Sequence, residues 1–138
     1  MRIVLDTNLL VSGVFWKGTP YRVLEAWVDD RFDLLTSEDI LIEYLRVLNE
    51  FEAKKKDTVG LASSWIVYIA QHSILVKPKR KVKICRDPGD DMFINCALAG
   101  KAKCIVSGDK DLLSLGEYMG IRLITAAEFI KELNQKRL

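Results

Sequence analysis

The sequence predicts an α/β protein with a central parallel β-sheet covered by helices on both faces. Short β-rich runs alternate with helical stretches along the chain, which is typical of a parallel sheet. The first run, RIVL at residues 2–5, is almost wholly apolar, as in a central strand buried on both faces. With 138 residues, of which 49% are hydrophobic, the chain is long enough for one core, and we expect a single domain over residues 1–138.

The elements follow from two hydrophobic periods. The β-rich runs lie at residues 2–5, 33–35, 74–76, 104–106 and 121–124. Helices are predicted at residues 20–28, from Ser37 onward, and at 58–71, 91–100 and 126–136. We expect the first strand in the interior of the sheet and the last nearer an edge.

Composition excludes several classes of protein. No apolar run approaches the roughly 20 residues of a membrane span, and the N-terminal MRIVLDTN reaches an acid too early for a signal peptide. Three cysteines without a CxxC pair argue against a disulfide framework or a zinc site and suit the reducing cytoplasm. The single histidine, His72, argues against a paired-histidine ribonuclease, and no P-loop, dinucleotide or serine-hydrolase motif is present.

Two acids are placed at the carboxyl edge of the predicted sheet by the first two strands. Asp6 directly follows the first strand, and ligands of such folds bind at this edge. Alternatively, Asp6 or Asn8 only caps the next turn. Ser37 is a good helix N-cap after the second strand, and Glu43 lies about 9 Å along that helix. A solvated position at the border of the helix is the alternative for Glu43.

Two later segments bring further acids to this edge. A Pro-Gly turn precedes Asp90 and Asp91 at the start of a helix, where the helix dipole alone would favour an acid. Asp109 and Asp111 follow the apolar run at 104–106. Clustered carboxylates repel one another unless a cation compensates them, and an all-oxygen set suits Mg²⁺ or Mn²⁺. A carboxylate-held metal in an open cleft suggests phosphoryl chemistry on a polyanion.

The order of these motifs resembles the PIN domain family. The matching segments are LDTN near the N-terminus, the Ser37-to-Glu43 helix, DPGDDMF at 87–93 and VSGDKDLL at 106–113. The nearest likeness is to toxin components of toxin–antitoxin systems, related to VapC-type ribonucleases. The resemblance covers essentially the whole chain and implies a three-layer α/β/α fold and a Mg²⁺- or Mn²⁺-dependent ribonuclease.

Carried over by motif, the resemblance implies an acidic metal-binding quartet of Asp6, Glu43, Asp90 and Asp109. Asp90 fits better than Asp91, since it puts Ala97 and Leu98 where the family's helix has a small residue followed by Leu. The second choices for metal ligands are Asp91 and Asp111. Side chains that would orient the carboxylates, with turn or capping roles as alternatives, are Thr7, Asn8 and Ser107.

The resemblance also implies a mechanism and partners. Metal ions would bridge the quartet and the scissile phosphate of RNA, with water attacking in line to leave a 5′-phosphate and a 3′-hydroxyl. The expected partners are an RNA substrate, an antitoxin protein and further copies of the chain in a homodimer or higher oligomer. RNA would need positive charge near the acidic site, and a basic run supplies it at Lys77, Lys79, Arg80, Lys81 and Lys83.

Two rival functions remain open at this point. A haloacid-dehalogenase-like phosphatase also places an Asp after its first strand, but it needs a second Asp two residues later, where this chain has Asn8. A PIN-like domain can also be a catalytically degenerate module that binds RNA or protein. Metal binding separates this second reading from a nuclease, because a degenerate module has no acid-dependent metal site.

Overall fold

The computed structural model describes residues 1–79 and 81–135 and confirms the predicted α/β class. Helices flank a central, mostly parallel sheet, which in the described part of the chain has the strand order β3-β2-β1-β4-β6-β5. The strands are β1 (Arg2–Leu5), β2 (Asp33–Thr36), β3 (Ile74–Leu75), β4 (Cys104–Val106), β5 (Glu117–Tyr118) and β6 (Ile121–Ile124). As predicted, β1 is interior and β6 lies nearer an edge.

The antiparallel edge strand β5 departs from the expected parallel sheet. It pairs with β6 through a two-residue hairpin turn at Met119 and Gly120, which have φ angles of 49° and 85°. Positive φ at both central residues is the turn geometry that fits the twist of paired antiparallel strands. Methionine rarely adopts such a φ, so the residues of this turn do not predict a hairpin.

The helices include the predicted ones and two that the periodicity did not reveal. They are α1 (Thr7–Phe15), α2 (Thr19–Val28), α3 (Glu38–Lys54), α4 (Leu61–His72), α5 (Asp91–Gly100), α6 (Lys110–Leu113) and α7 (Ala126–Gln135), with a 3₁₀ turn at Pro88–Asp90. Helix α1 was missed because most of its surface is buried and it lacks a polar face. Helix α6 is a single turn. Residue 136, predicted at the end of α7, lies outside the described residues.

The packing of two helices fixes the carboxyl edge of the sheet. Ile3, Val4 and Leu5 are fully buried, and α5 packs across β1, β2 and β4. On α3, the buried Tyr44 hydroxyl donates to the Leu5 carbonyl oxygen at 2.5 Å, at the end of β1. Within the described ranges, no helix is long and apolar enough to cross a membrane.

Close packing of α1 on α2 depends on Gly13, and we expect Gly13→Ala to destabilise the protein. A Cβ at this position would lie 2.8 Å from the Pro20 carbonyl oxygen and 2.8 Å from Leu24 Cδ1. Overpacking costs about 1–3 kcal/mol, against a gain in helix propensity of up to about 1 kcal/mol. Thermal unfolding should show a melting temperature lower by several degrees. Ser12→Ala, which adds no volume to α1, is the control, and a raised melting temperature for Gly13→Ala would contradict this packing argument.

Candidate functional site

Asp6 stands at the junction of β1 and α1. Its backbone is extended, its Oδ1 accepts from the Leu9 N–H at 2.8 Å, and its own N–H donates to the Val106 carbonyl oxygen at 3.1 Å. The side chain is only 3% exposed, although charged groups are rarely buried to this degree. Asp6 is thus both the N-cap of α1 and a carboxylate at the edge where ligands bind in such folds.

Ser107 connects Asp6 to Asp109. Its buried hydroxyl donates to Asp6 Oδ2 and accepts from the Asp109 N–H at 2.9 Å. Asp109 is the N-cap of α6, with its Oδ1 accepting from the Asp111 N–H at 2.9 Å. The ends of the neighbouring strands β1 and β4 are thereby joined by one continuous hydrogen-bonded chain.

Asp90 lies near this group. It is the last residue of the 3₁₀ turn and directly precedes α5, and its carboxyl group is close enough to Asp109 to interact with it. Burial raises the pKa of Asp90 to about 7, helped by the charges of Asp109, Asp87 and Asp6 and by the hydrogen bond with Asp109. Burial also raises the pKa of Asp6, and the charge of Asp109 adds to this, against hydrogen bonds from Ser107 and the backbone that lower it. Three predicted acids therefore interact at one edge of the sheet.

The fourth predicted acid, Glu43, is not joined to these three by a hydrogen bond or ion pair in the described part of the chain. Its Oε1 instead accepts from Arg46, at 2.6 Å from Nη2 and 3.1 Å from Nε. Arg46 also contacts Glu50 at 2.9 Å along the same exposed side of α3. Glu43 does lie one residue before Tyr44, whose hydroxyl reaches the end of β1.

Unlike its neighbour Asp90, Asp91 is engaged by backbone N–H groups. Its Oδ1 accepts from the N–H groups of Ile84 and Cys85, at 3.1 and 2.8 Å. Burial would raise the pKa of Asp91, but the hydrogen bonds from Cys85 and Ile84 outweigh it and leave this pKa lowered. One turn later on α5, Asn95 accepts from the Val82 N–H at 2.8 Å. These two side chains hold Val82, Ile84 and Cys85, which belong to the segment of residues 76–79 and 81–85 that we call the strap.

Sequence reasoning missed these anchors. The available signal was a pair of buried polar residues, Asp91 and Asn95, spaced four apart on an otherwise apolar helix. Buried polar groups of this kind are hydrogen-bonded, and here their partners are backbone N–H groups of the strap.

The other predicted residues occupy mixed positions. Asn8 is exposed on the first turn of α1, and Asp111 is an exposed residue with its Oδ1 3.9 Å from Arg86 Nη1. Thr7 Oγ1, beside Asp6, is buried and has no hydrogen-bond partner among the described residues. On the strap, four lysines are exposed, namely Lys77, Lys79, Lys81 and Lys83. Arg80, predicted with them, lies outside the described residues.

The donor set fits a hard divalent cation in its chemistry. Asp6, Asp90 and Asp109 offer carboxylate oxygens alone, the ligands that Mg²⁺ and Mn²⁺ prefer. The hydrogen-bonding capacity of the buried Thr7 hydroxyl is unused among the described residues, next to Asp6. No three acidic, histidine or cysteine side chains in the described ranges are already arranged as a metal site. Binding would therefore require the carboxylates to move closer together.

Comparison with known proteins identifies the family. A family model described as PIN domain matches residues 2–111, which include all four predicted acids. Uncharacterized protein MJ1680 of Methanocaldococcus jannaschii is 30% identical over 145 residues, covering 98% of this chain and 93% of the relative.

Two solved structures share the fold. VapBC2 from Rickettsia felis, bound to a DNA fragment from its promoter, matches with a TM-score of 0.59 and 15% identity, covering 91% of this chain and 98% of that chain. PAE2754 from Pyrobaculum aerophilum matches with a TM-score of 0.64 and 13% identity, covering 98% and 90%. With the family model matching most of its length, this chain belongs to the PIN domain family.

Proposed function

We propose that this chain is a Mg²⁺- or Mn²⁺-dependent endoribonuclease that hydrolyses phosphodiester bonds in RNA. The observation that carries the proposal is the hydrogen-bonded chain from Asp6 through Ser107 to Asp109 at the carboxyl edge of the sheet, with Asp90 near enough for both charges to raise its pKa. Membership of the PIN family supports it, since PIN domains are typically nucleases. A raised pKa in a carboxylate cluster is also typical of functional sites.

The residues of the chain position the reaction. Leu9 and Ser107 fix both oxygens of Asp6, and Ser107 in turn holds the backbone of Asp109. When bound, the metal would neutralise the carboxylates, polarise the phosphoryl group and lower the pKa of the attacking water. Asp6, Asp90 and Asp109 would hold it.

Glu43 would complete the quartet by turning away from Arg46. The Glu43–Arg46 pair is at the surface, where ion pairs contribute little to stability, so a change of the Glu43 rotamer costs little. Asp111, held near Asp109 by the α6 turn, is the second choice. Asp91 is a poor ligand in this scheme, because its carboxylate is engaged by the strap.

The toxin role and its partners are part of the same proposal. The Rickettsia felis structure with this fold is described as VapBC2 bound to promoter DNA. By analogy, we propose that a small antitoxin protein binds this chain, that the chain forms a homodimer or higher oligomer, and that it acts in the cytoplasm. The strap lysines Lys77, Lys79, Lys81 and Lys83, together with Arg80, would attract the RNA backbone.

Purified protein should cleave single-stranded RNA when Mg²⁺ or Mn²⁺ is added and should stop when EDTA is added. The measurement is cleavage of an end-labelled RNA over time, with the 5′-phosphate and 3′-hydroxyl ends of the products assigned chemically. Cleavage that persists in EDTA would contradict the metal-dependent scheme. Absence of cleavage together with absence of metal binding by calorimetry would favour a degenerate binding module.

A further inference from the structure

A groove of about 790 Å³ lies beside the acidic edge of the sheet. It is bounded by the first turn of α3, by the strap and by the start of α5. Pro88 and Asp91 belong to its lining and flank Asp90 in the sequence, which places one end of the groove near the start of α5. Its volume is in the range of sites that bind small molecules or a few nucleotides.

The strap and α3 contribute opposite charges to the lining of the groove. The strap contributes the exposed lysines Lys77, Lys81 and Lys83, which we call the lysine wall. The first turn of α3 contributes the exposed carboxylates of Glu38 and Asp39. The helix dipole accounts for acids in the first turn of α3, but both side chains also line the groove.

The rest of the lining is mainly apolar. Leu75, Val82 and Met92 contribute to it, and Val82 is held by Asn95 on α5. Apolar and thioether side chains offer flat contact to the faces of unstacked bases. Lys81 and Lys83 are exposed whereas Val82 and Ile84 are half-buried, so the two lysines lie on the same side of this part of the strap. Such a row of cations suits successive phosphates of a strand.

We propose that this groove binds a single strand of RNA in one orientation, with phosphates on the lysine wall and base edges on Glu38 and Asp39. A phosphate cannot lie close to two carboxylates without strong repulsion, which leaves the base edges to face them. Carboxylates only accept hydrogen bonds, and the exocyclic amino groups of adenine, cytosine and guanine donate them. Uracil has no such group, and the one donor on its edge, N3–H, lies between two carbonyl oxygens that repel a carboxylate. The groove should therefore disfavour uracil, an inference that rests on the proposed function.

Binding in EDTA tests this inference without cleavage. Fluorescence anisotropy with labelled oligocytidine and oligouridine of equal length should show roughly tenfold tighter binding of oligocytidine by the unmodified chain. The double variant Glu38→Gln/Asp39→Asn should lose most of this preference, while its affinity for oligouridine rises because two negative charges are gone. Glu25→Gln, an exposed acid on α2, is the matched control and should leave the preference unchanged.

The lysine wall is tested in the same assay. The double variant Lys81→Gln/Lys83→Gln should bind both oligonucleotides more weakly, by a similar factor. The affinity of this variant should also depend less on salt concentration. Lys131→Gln, on the exposed surface of α7, is the control. An unchanged cytidine-to-uridine ratio in Glu38→Gln/Asp39→Asn, or no binding of either oligonucleotide at low salt, would overturn the inference.

The outcome separates this inference from the proposed function. If cleavage proceeds with Mg²⁺ while the groove variants bind like their controls, the nuclease proposal stands and the groove does not bind the substrate. If the variants respond as expected but no RNA is cleaved with Mg²⁺ or Mn²⁺, the groove stands as a binding site and the nuclease proposal fails.

Discussion

Asp6→Asn should lower metal-dependent RNA cleavage by more than about 100-fold while the protein stays folded. Loss of a residue that merely supports a metal ligand typically costs 10–100-fold, so loss of a ligand's charge should cost more. The measurement is the initial rate of cleavage at saturating Mg²⁺, beside circular dichroism and the melting temperature of each protein.

The fold should survive this change because asparagine preserves the local hydrogen bonds. Its side-chain oxygen can still accept from the Leu9 N–H, and asparagine caps helices about as well as aspartate. In the unmodified protein the Ser107 hydroxyl donates to Asp6, and in the variant the asparagine amide can donate to that hydroxyl instead. The variant also removes a buried charge whose pKa is raised by burial, so stability should not fall.

Asp33→Asn is the matched control for Asp6→Asn. Asp33 begins β2 and is exposed, so it lies at the opposite edge of the sheet from Asp6. Its removal changes the net charge equally and should leave cleavage close to that of the unmodified chain. If Asp6→Asn kept most of its activity, or if Asp33→Asn lost as much, the carboxyl edge would not be the reaction site.

The parts of the fold visible in the sequence are those with an unambiguous period. The apolar run of β1 and the helical spacing of α3 predicted a buried central strand and an amphipathic helix, and both are present. Helix α1 was not predicted, because it is buried on most sides and lacks the polar face that indicates an amphipathic helix. The β5–β6 hairpin was not predicted, because its turn places Met119 at a positive φ that methionine rarely adopts.

The candidate site was predictable only as far as topology determines it. The ends of parallel strands meet at one edge, which is why Asp6 and Asp109 could be placed together before the structure was known. The order and period of the strands do not predict side-chain rotamers. Glu43 faces Arg46 along α3, and a sequence in which several cations could pair with it does not indicate which one does.

Asp90 and Asp91 show the same limit within two adjacent residues. Both stand at the start of α5, and the helix dipole favours either. In the structure Asp90 meets Asp109, whereas Asp91 accepts backbone N–H groups from Ile84 and Cys85. The distinction depends on where the strap passes, and no local pattern near DPGDD encodes its path.

These environments predict that two isosteric substitutions act in opposite directions on the metal-free protein. The pKa of Asp90 is raised to about 7, mainly by burial and by Asp109, so above this pH its ionised form destabilises the fold relative to the unfolded chain. Asp90→Asn should therefore raise the melting temperature by a few degrees at about pH 8. The pKa of Asp91 is lowered, so its ionised form stabilises the fold. Asp91→Asn weakens two charge-assisted hydrogen bonds and should cost about 1–2 kcal/mol.

The two variants should also differ in how far added Mg²⁺ or Mn²⁺ raises their melting temperatures. A ligand that binds only the folded state raises its melting temperature by mass action. Asp90→Asn removes a proposed ligand and should show little of this rise, whereas Asp91→Asn should retain most of it from a lower starting point. Differential scanning fluorimetry with and without metal at about pH 8 measures both effects. If the metal-free shifts have the same sign, or if Asp91→Asn alone loses the metal response, Asp91 and not Asp90 is the ligand on α5.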